Sequence, residues 1–129
     1  QDVLKAKAKV ESEIIKSMVL TLPVQLQLVL LAISEKSLSP KAILKITGQL
    51  DSNVLYSGEV YEKYEELCKK YSEKVVSTRW FREYINELET YGFITTTVSG
   101  KGVKGNTTLI KLGFDAKNLA NMIVKEFSE

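Results

Sequence analysis

Between Ser77 and Leu112 the hydrophobic period of the chain changes once, from about 3.6 to about 2, and this restricts its possible folds more than any other feature. STRWFREYINELETYG, residues 77–92, sets Phe81, Tyr84, Ile85 and Leu88 within roughly a third of a helical circumference, the spacing of one buried face. Gly92 is placed to end that helix. Beyond it, Phe93, Thr95 and Thr97 alternate with Ile94, Thr96 and Val98, and Thr108, Ile110 and Leu112 alternate with Leu109 and Lys111. That is the pattern of two β-strands, and GKGVKGN between them supplies glycines for a tight connection.

The other side of the predicted helix carries the chemistry. Arg79, Glu83, Asn86 and Thr90 fall opposite the apolar face, with Arg82 at their edge. The guanidinium forks of Arg79 and Arg82 suit guanine edges or phosphates, and the Asn86 amide suits adenine. Ser77, as N-cap, and Thr78 bring hydroxyls to a helix start whose first N–H groups can hold a phosphate. Lys101, Lys104 and Asn106 put charge and hydrogen-bonding groups at the hairpin tip. A reading helix followed by a basic hairpin is the α+β winged helix-turn-helix, in which the helix enters the major groove of double-stranded DNA and the wing reaches a neighbouring groove or the backbone. The plainer account of the same residues is a solvated helix face with Arg79 and Glu83 paired at i,i+4, followed by an exposed turn. Trp80 is expected to pack on the helix flank with Tyr84 and Tyr91 rather than stack on a base. A P-loop is excluded because no Gly-Lys-Ser/Thr step and no following helix are present.

The rest of the chain is read as support. Its 129 residues suit one domain, 44% hydrophobic and 26% charged, and a net charge of +2 is too small to indicate nucleic acid by itself. Leu22 to Ile33 is the densest apolar run; it contains Gln25 and Gln27, is too short for a membrane span, and reads as a buried core helix. No secretory signal is visible, and Cys68 is the only cysteine, which excludes an intrachain disulfide and fits a reducing cytoplasm. Cys68 is expected to be a small buried side chain. The chain has no histidine to serve as a base, and no enzymatic site is arguable.

In order, a helix is expected over Asp2–Val19, with Val3, Ala6, Val10, Ile14 and Met18 as its apolar stripe. A second starts at Pro23, with Leu26, Val29, Leu30 and Ile33 inward, and ends near Lys36. Ser39 and Pro40 open a short helix, Ala42–Ile46, which Gly48 stops before a loop at Gln49–Asn53. Val54–Tyr56 is a short strand beside the wing. Ser57 caps a helix with Glu59 in its first turn and Val60, Tyr61, Tyr64, Leu67, Cys68 and Tyr71 inward; the tyrosines are expected in the core with hydroxyls at its rim. The linker Ser72–Val76 is longer than a usual helix-turn-helix turn. Asp115 caps the last helix, whose stripe is Leu119, Met122, Ile123 and Phe127.

The runs TGQLDSNVLYSGEVYEKYEELCKKY, STRWFREYINELETYGFI and VSGKGVKGNTTLIKL resemble the C-terminal winged-helix domain of the archaeal replication initiators, homologous to the origin recognition complex large subunit and the cell-division-control loader. The resemblance runs from about Leu22 to Leu112. Its most specific pieces are the Gly58-Glu59-Val60-Tyr61-Glu62-x-Tyr64 start, the Leu88-Glu89-x-x-Gly92 helix end and Gly102-x-x-Gly105-x-Thr107 in the wing. It implies binding to origin repeats, with helix contacts from Thr78, Arg79 and Arg82 and wing contacts from Lys101, Gly102, Lys104, Gly105 and Asn106, and with Thr107 in the same motif. It implies an AAA+ ATPase in the parent protein, so that residues 1–20 form a linker helix at the tail of its lid and 21–129 the winged-helix domain. ATP and magnesium would belong to that ATPase, with no cofactor in this piece. The chain, which starts at Gln1 without an initiator methionine, is accordingly read as excised from a longer protein.

Other initiator subunits and the replicative helicase are the implied protein partners, at a cytoplasmic, nucleoid-associated location with no membrane contact. The family's wing commonly has an arginine after each paired glycine, where this chain has Val103 and Asn106, and Ser39–Asn53 reads as an insertion. The helix, Arg79 foremost, is therefore expected to contribute more than the wing. Two other functions fit the residues. One is a protein-interaction winged helix docking a loader or partner initiator, suggested by the weak net charge and by Glu83, Glu87 and Glu89. The other is a dimeric transcription regulator using the outer helices, Asp2–Val19 and Ala116–Phe127.

Overall fold

The computed structural model describes residues 13–38, 54–99 and 107–128. The elements are α1 (residues 13–20), α2 (Val24–Ser37), β1 (Val54–Tyr56), α3 (Ser57–Lys70), α4 (Thr78–Thr90), β2 (Ile94–Ser99), β3 (Thr107–Leu112) and α5 (Ala116–Ser128). The short helix expected at Ala42–Ile46, its Gly48 stop and the 49–53 loop lie outside the described residues.

α2 is the centre of the molecule. Every residue from Leu26 to Ser34 is buried, because α3, α4, α5, β1 and β3 all pack against this helix. An all-round apolar helix is stable only when surrounded in this way, and each fully buried Leu, Ile or Val contributes roughly 1.5–3 kcal/mol. Its buried polar groups are satisfied within or next to the helix: Gln27 Nε2 donates to the Leu22 carbonyl at 2.9 Å, and Ser34 Oγ to the Leu30 carbonyl at 2.9 Å. Pro23 is the N-cap rather than a helical residue, with ψ of 155°.

α1 is rotated from its expected setting. Ile15 and Val19 meet the core, while Ile14 and Met18 are 55% and 36% exposed. The turn into α2, where Thr21 Oγ1 donates to the Met18 carbonyl at 2.7 Å, sets that rotation; periodicity alone leaves it open by one position. At the other end of the chain, the Asp115 carboxylate caps α5 by accepting the Asn118 N–H at 2.9 Å. Leu119 and Ile123 are buried, and Phe127 stacks on Tyr71 with ring centroids 4.9 Å apart.

The sheet is antiparallel in the order β1-β3-β2. Ile110 lies between Leu55 on one side and Thr96 on the other, and Ile94 pairs with Leu112. Leu55, Ile94 and Ile110 are buried whereas Thr95, Thr97 and Lys111 are exposed, so one face closes the core, as strand alternation requires. β1 runs directly into α3. Tyr56 stays extended to pair with Leu109, which makes it the N-cap in place of Ser57, and Glu59 reaches back to accept the Tyr56 N–H at 2.9 Å.

Between α3 and α4 the chain is extended, and side chains hold it from two helices. The Tyr61 hydroxyl donates to the Val76 carbonyl at 2.7 Å, and the Tyr64 hydroxyl accepts the Val76 N–H at 3.0 Å while donating to Gln25 Oε1. Gln25 Nε2 donates to the Lys74 carbonyl at 2.9 Å. Both rings meet Phe81 of α4, Tyr61 edge-on at 5.0 Å. The tyrosines are thus core residues whose hydroxyls set the path of the main chain. Burial pushes the Tyr64 hydroxyl well above the ordinary tyrosine value; burial, then the Glu65 carboxylate, does the same for Tyr61. Burial likewise raises the Cys68 thiol, against a lowering contact from Tyr64.

α3 ends in a Schellman turn: the Glu73 N–H reaches the Cys68 carbonyl at 2.8 Å and Ser72 occupies the left-handed position at φ 58°. A side chain is strained there, so Ser72→Gly is expected to stabilise the domain by about 1 kcal/mol, raising Tm by about 4 °C in a thermal melt. Tyr64→Phe leaves Val76 N–H and Gln25 Oε1 without their Tyr64 partner and is expected to cost about 1–3 kcal/mol at pH 7 by urea unfolding. Because the folded values of Cys68, Tyr61 and Tyr64 are raised above their ordinary 9.0, 10.0 and 10.0, the stability they contribute is complete below about pH 9 and falls as pH rises beyond it. Urea titrations across that range are expected to show a shallower alkaline decline in Tyr64→Phe than in the unaltered chain.

Candidate nucleic-acid interface

α4 begins where the pinned segment ends. Ser77 is its N-cap, extended at ψ 164°, and its Oγ accepts the Trp80 N–H at 3.4 Å. Phe81, Ile85 and Leu88 are buried and Tyr84 half-buried, which fixes the rotation of the helix. Thr78, Arg79, Arg82 and Asn86 consequently face solvent. The helix ends in a second Schellman turn, with the Phe93 N–H on the Leu88 carbonyl at 3.0 Å and Gly92 at φ 89°. The chain then enters β2, and the Gly113 N–H returns to the Phe93 carbonyl at 2.8 Å.

A cleft of about 330 Å³ lies between α4, the start of α3 and β3. Thr78, Arg82 and Asn86 line one wall; Ser57, Gly58 and Tyr61 line the other, with Thr108 of β3 beside them. Three of the residues expected from sequence are therefore brought together. Arg79 lies apart, in a separate recess with Trp80 and Glu83. Among the described residues neither Arg79 nor Arg82 has a carboxylate within 4.0 Å, so the i,i+4 pairing of Arg79 with Glu83 does not form. Ser57, Gly58 and Thr108 were not legible as site residues, because they reach α4 only through the packing of distant segments.

Two expectations are corrected. Trp80 does not pack away: it is 58% exposed, with its ring tilted against Tyr84 at a centroid distance of 6.5 Å. The inward side of α4 is already filled by Phe81, Ile85 and Leu88, and position 80 lies outside that stripe. Glu89 is not a solvated acid like Glu83 and Glu87 but is half-buried and bonded to Thr96 of β2. Lys101, Gly102, Lys104, Gly105 and Asn106 lie outside the described residues, and Thr107 opens β3.

Among the described residues no helix is long and apolar enough to cross a membrane, and no cluster of acids, cysteine or histidine could hold a metal ion.

Comparison with known proteins agrees with this architecture. The family model described as CDC6, C terminal winged helix domain, matches residues 17–122. The chain is 33% identical over 111 residues to an ORC1-type DNA replication protein of Picrophilus torridus, covering 86% of this chain and 24% of that protein. It is 31% identical over 126 residues to the ORC1-type DNA replication protein of Pyrococcus furiosus, covering 98% of this chain and 27% of that one. It thus spans about a quarter of the length of these relatives. Among solved structures, Cdc6p of Pyrobaculum aerophilum shares the fold at a TM-score of 0.65 and 24% identity, over 88% of this chain and 26% of that one. The Orc1 protein of Aeropyrum pernix, solved in complex with DNA, superimposes at 0.69 with 26% identity, over 96% of this chain and 29% of that one. An all-round buried α2, a helix pair joined by a pinned linker, a hairpin returning beside β1 and a family match across most of the chain together show that it belongs to the C-terminal winged-helix domains of the Cdc6/Orc1 replication initiators.

Proposed function

We propose that this domain binds double-stranded DNA at the repeats of a replication origin, as the winged-helix domain of an archaeal initiator. The observation that carries this reading is the exposed side of α4, where Arg79 and Arg82 present guanidinium groups that no carboxylate of the described residues engages. A free guanidinium on a helix whose opposite face is locked in a core is available for bidentate contact with a guanine edge or a phosphate. Asn86 supplies an amide on the same exposed side, and Ser77 and Thr78 stand at a helix start suited to a phosphate. Lys101, Gly102, Lys104, Gly105, Asn106 and Thr107 are assigned to the wing contact by their place in the sequence. The Aeropyrum pernix relative was solved with DNA, which supports the same partner here. ATP and magnesium remain expectations for the AAA+ part of a longer parent, of which residues 1–20 would be the lid tail. No group of this chain is assigned to them.

A second reading, a surface for another initiator subunit or the helicase, is favoured by the exposure of Trp80, Tyr91, Glu83 and Glu87. A dimeric regulator is less well supported, because Leu119 and Ile123 of α5 are spent on the domain's own core.

A mobility-shift titration against origin and random duplexes at two salt concentrations tests the proposal. For roughly five phosphate contacts, log K is expected to fall against log salt with a slope of about −4 to −5, and a flat dependence overturns it. Arg79→Ala is expected to weaken origin binding by about ten- to a hundredfold, and Lys104→Ala to flatten the slope by about 0.9. If the double change Arg79→Glu, Lys104→Glu leaves duplex binding intact while abolishing capture of a partner initiator, the interaction reading replaces this one.

A further inference from the structure

Glu89 lies near the end of α4, on the flank that Arg82 occupies two turns earlier. Its Oε2 accepts the main-chain N–H of Thr96 at 3.1 Å, and its Oε1 accepts the Thr96 hydroxyl at 2.8 Å. β2 is an edge strand, so alternate N–H groups along it point away from the sheet; α4 supplies the acceptor for this one. Thr96 sits opposite Ile110, which is fully buried, so the bond is made at the middle of the ribbon rather than at its frayed end. A second attachment lies one turn away, where α4 leaves through Gly92 and the Gly113 N–H returns to the Phe93 carbonyl. A Cβ at Gly113 would come within 3.2 Å of that carbonyl oxygen, which shows how closely the ribbon's base is packed there. β3 is also paired with β1, and Ile94 and Ile110 are in the core, so the base of the ribbon is held there; the Glu89 bond adds a direct tie between α4 and the outer edge of β2.

We propose that Glu89 and Thr96 form a bracket that fixes the angle between α4 and the β2–β3 ribbon, making them positioning residues for engagement of the duplex by helix and wing together. The duplex part of the inference rests on the DNA-binding function proposed above. It carries a counterintuitive sign. A carboxylate on a DNA-reading helix repels phosphate, so an acid with no other task would, on removal, tighten binding. A bracket, on removal, loosens it.

Glu89→Ala, Glu89→Gln and Thr96→Val are compared in the 129-residue chain, at a temperature where thermal melts show all of them fully folded. The readouts are duplex titration at two salt concentrations and amide exchange across β2. Loss of two hydrogen bonds to a charged group is expected to lower duplex affinity about tenfold in Glu89→Ala and to flatten the salt slope by about one phosphate contact. Thr96→Val, which alters no charge, is expected to lose about threefold; Glu89→Gln should fall between unaltered chain and Glu89→Ala, since its amide oxygen still accepts one bond. The Thr96 amide is expected to exchange about tenfold faster in Glu89→Ala while α2 amides are unchanged. Equal or tighter duplex binding by Glu89→Ala, or affinity unchanged in Thr96→Val, overturns the positioning role. If the unaltered chain binds no duplex at any salt, the DNA function fails by itself; an unchanged Thr96 exchange rate in Glu89→Ala then overturns the bracket, and a faster one upholds it.

Discussion

The segment linking α3 to α4 has no regular hydrogen bonding of its own, yet the position of α4 depends on it. Tyr61 and Tyr64 take both main-chain polar groups of Val76, and Gln25 joins Tyr64 to the Lys74 carbonyl. One node therefore ties the central helix, the preceding helix and the approach to Ser77. Buried polar networks of this kind stabilise modestly when complete and cost heavily when one member is removed, which makes them better at specifying a geometry than at adding stability. Here the specified geometry is the start of α4.

From that start, α4 serves two surroundings. Its inward stripe, Phe81, Ile85 and Leu88, closes on α2 and the tyrosine rings, and so determines which side chains remain outside. The outside is not uniform. Thr78, Arg82 and Asn86 turn toward the cleft shared with α3 and β3, whereas Arg79, Trp80 and Glu83 share a separate recess. Glu89 is half-buried and turned toward β2, where Thr96 engages both of its carboxylate oxygens. The helix end, through Gly92 and Phe93, then sets where the ribbon begins. The chain belongs to the Cdc6/Orc1 winged-helix domains and spans about a quarter of the relatives it matches.

Much of the fold was legible because it is local. Helix and strand have different side-chain periods, and the change near Gly92 separated α4 from the hairpin without any knowledge of packing. Caps were legible for the same reason: Ser77, Asp115 and Gly92 act on residues three or four positions away. Val54–Tyr56 was recognisable as a strand beside the wing from the winged order, while its partner, β3, was decided by the fold. The candidate site was legible as a face of α4 but not as a cleft, since its second wall comes from Ser57 and Gly58.

The sequence by itself determined the order of the elements, the buried face of α3 and α4, and the set of polar side chains on the outer side of α4. Tertiary structure alone decided that Ile15 and Val19 rather than Ile14 and Met18 enter the core, that Tyr56 caps α3, that Trp80 stays in solvent, that Glu89 binds the main chain of β2, and that Gln25 binds main chain far along the sequence. The division has one physical cause. Backbone geometry imposes a period within a few residues, so a face can be read from spacing. Which flank of that face meets a neighbour depends on contacts such as Gln25 to Lys74, which exist only once the chain has paid the entropy of closing the loops between them.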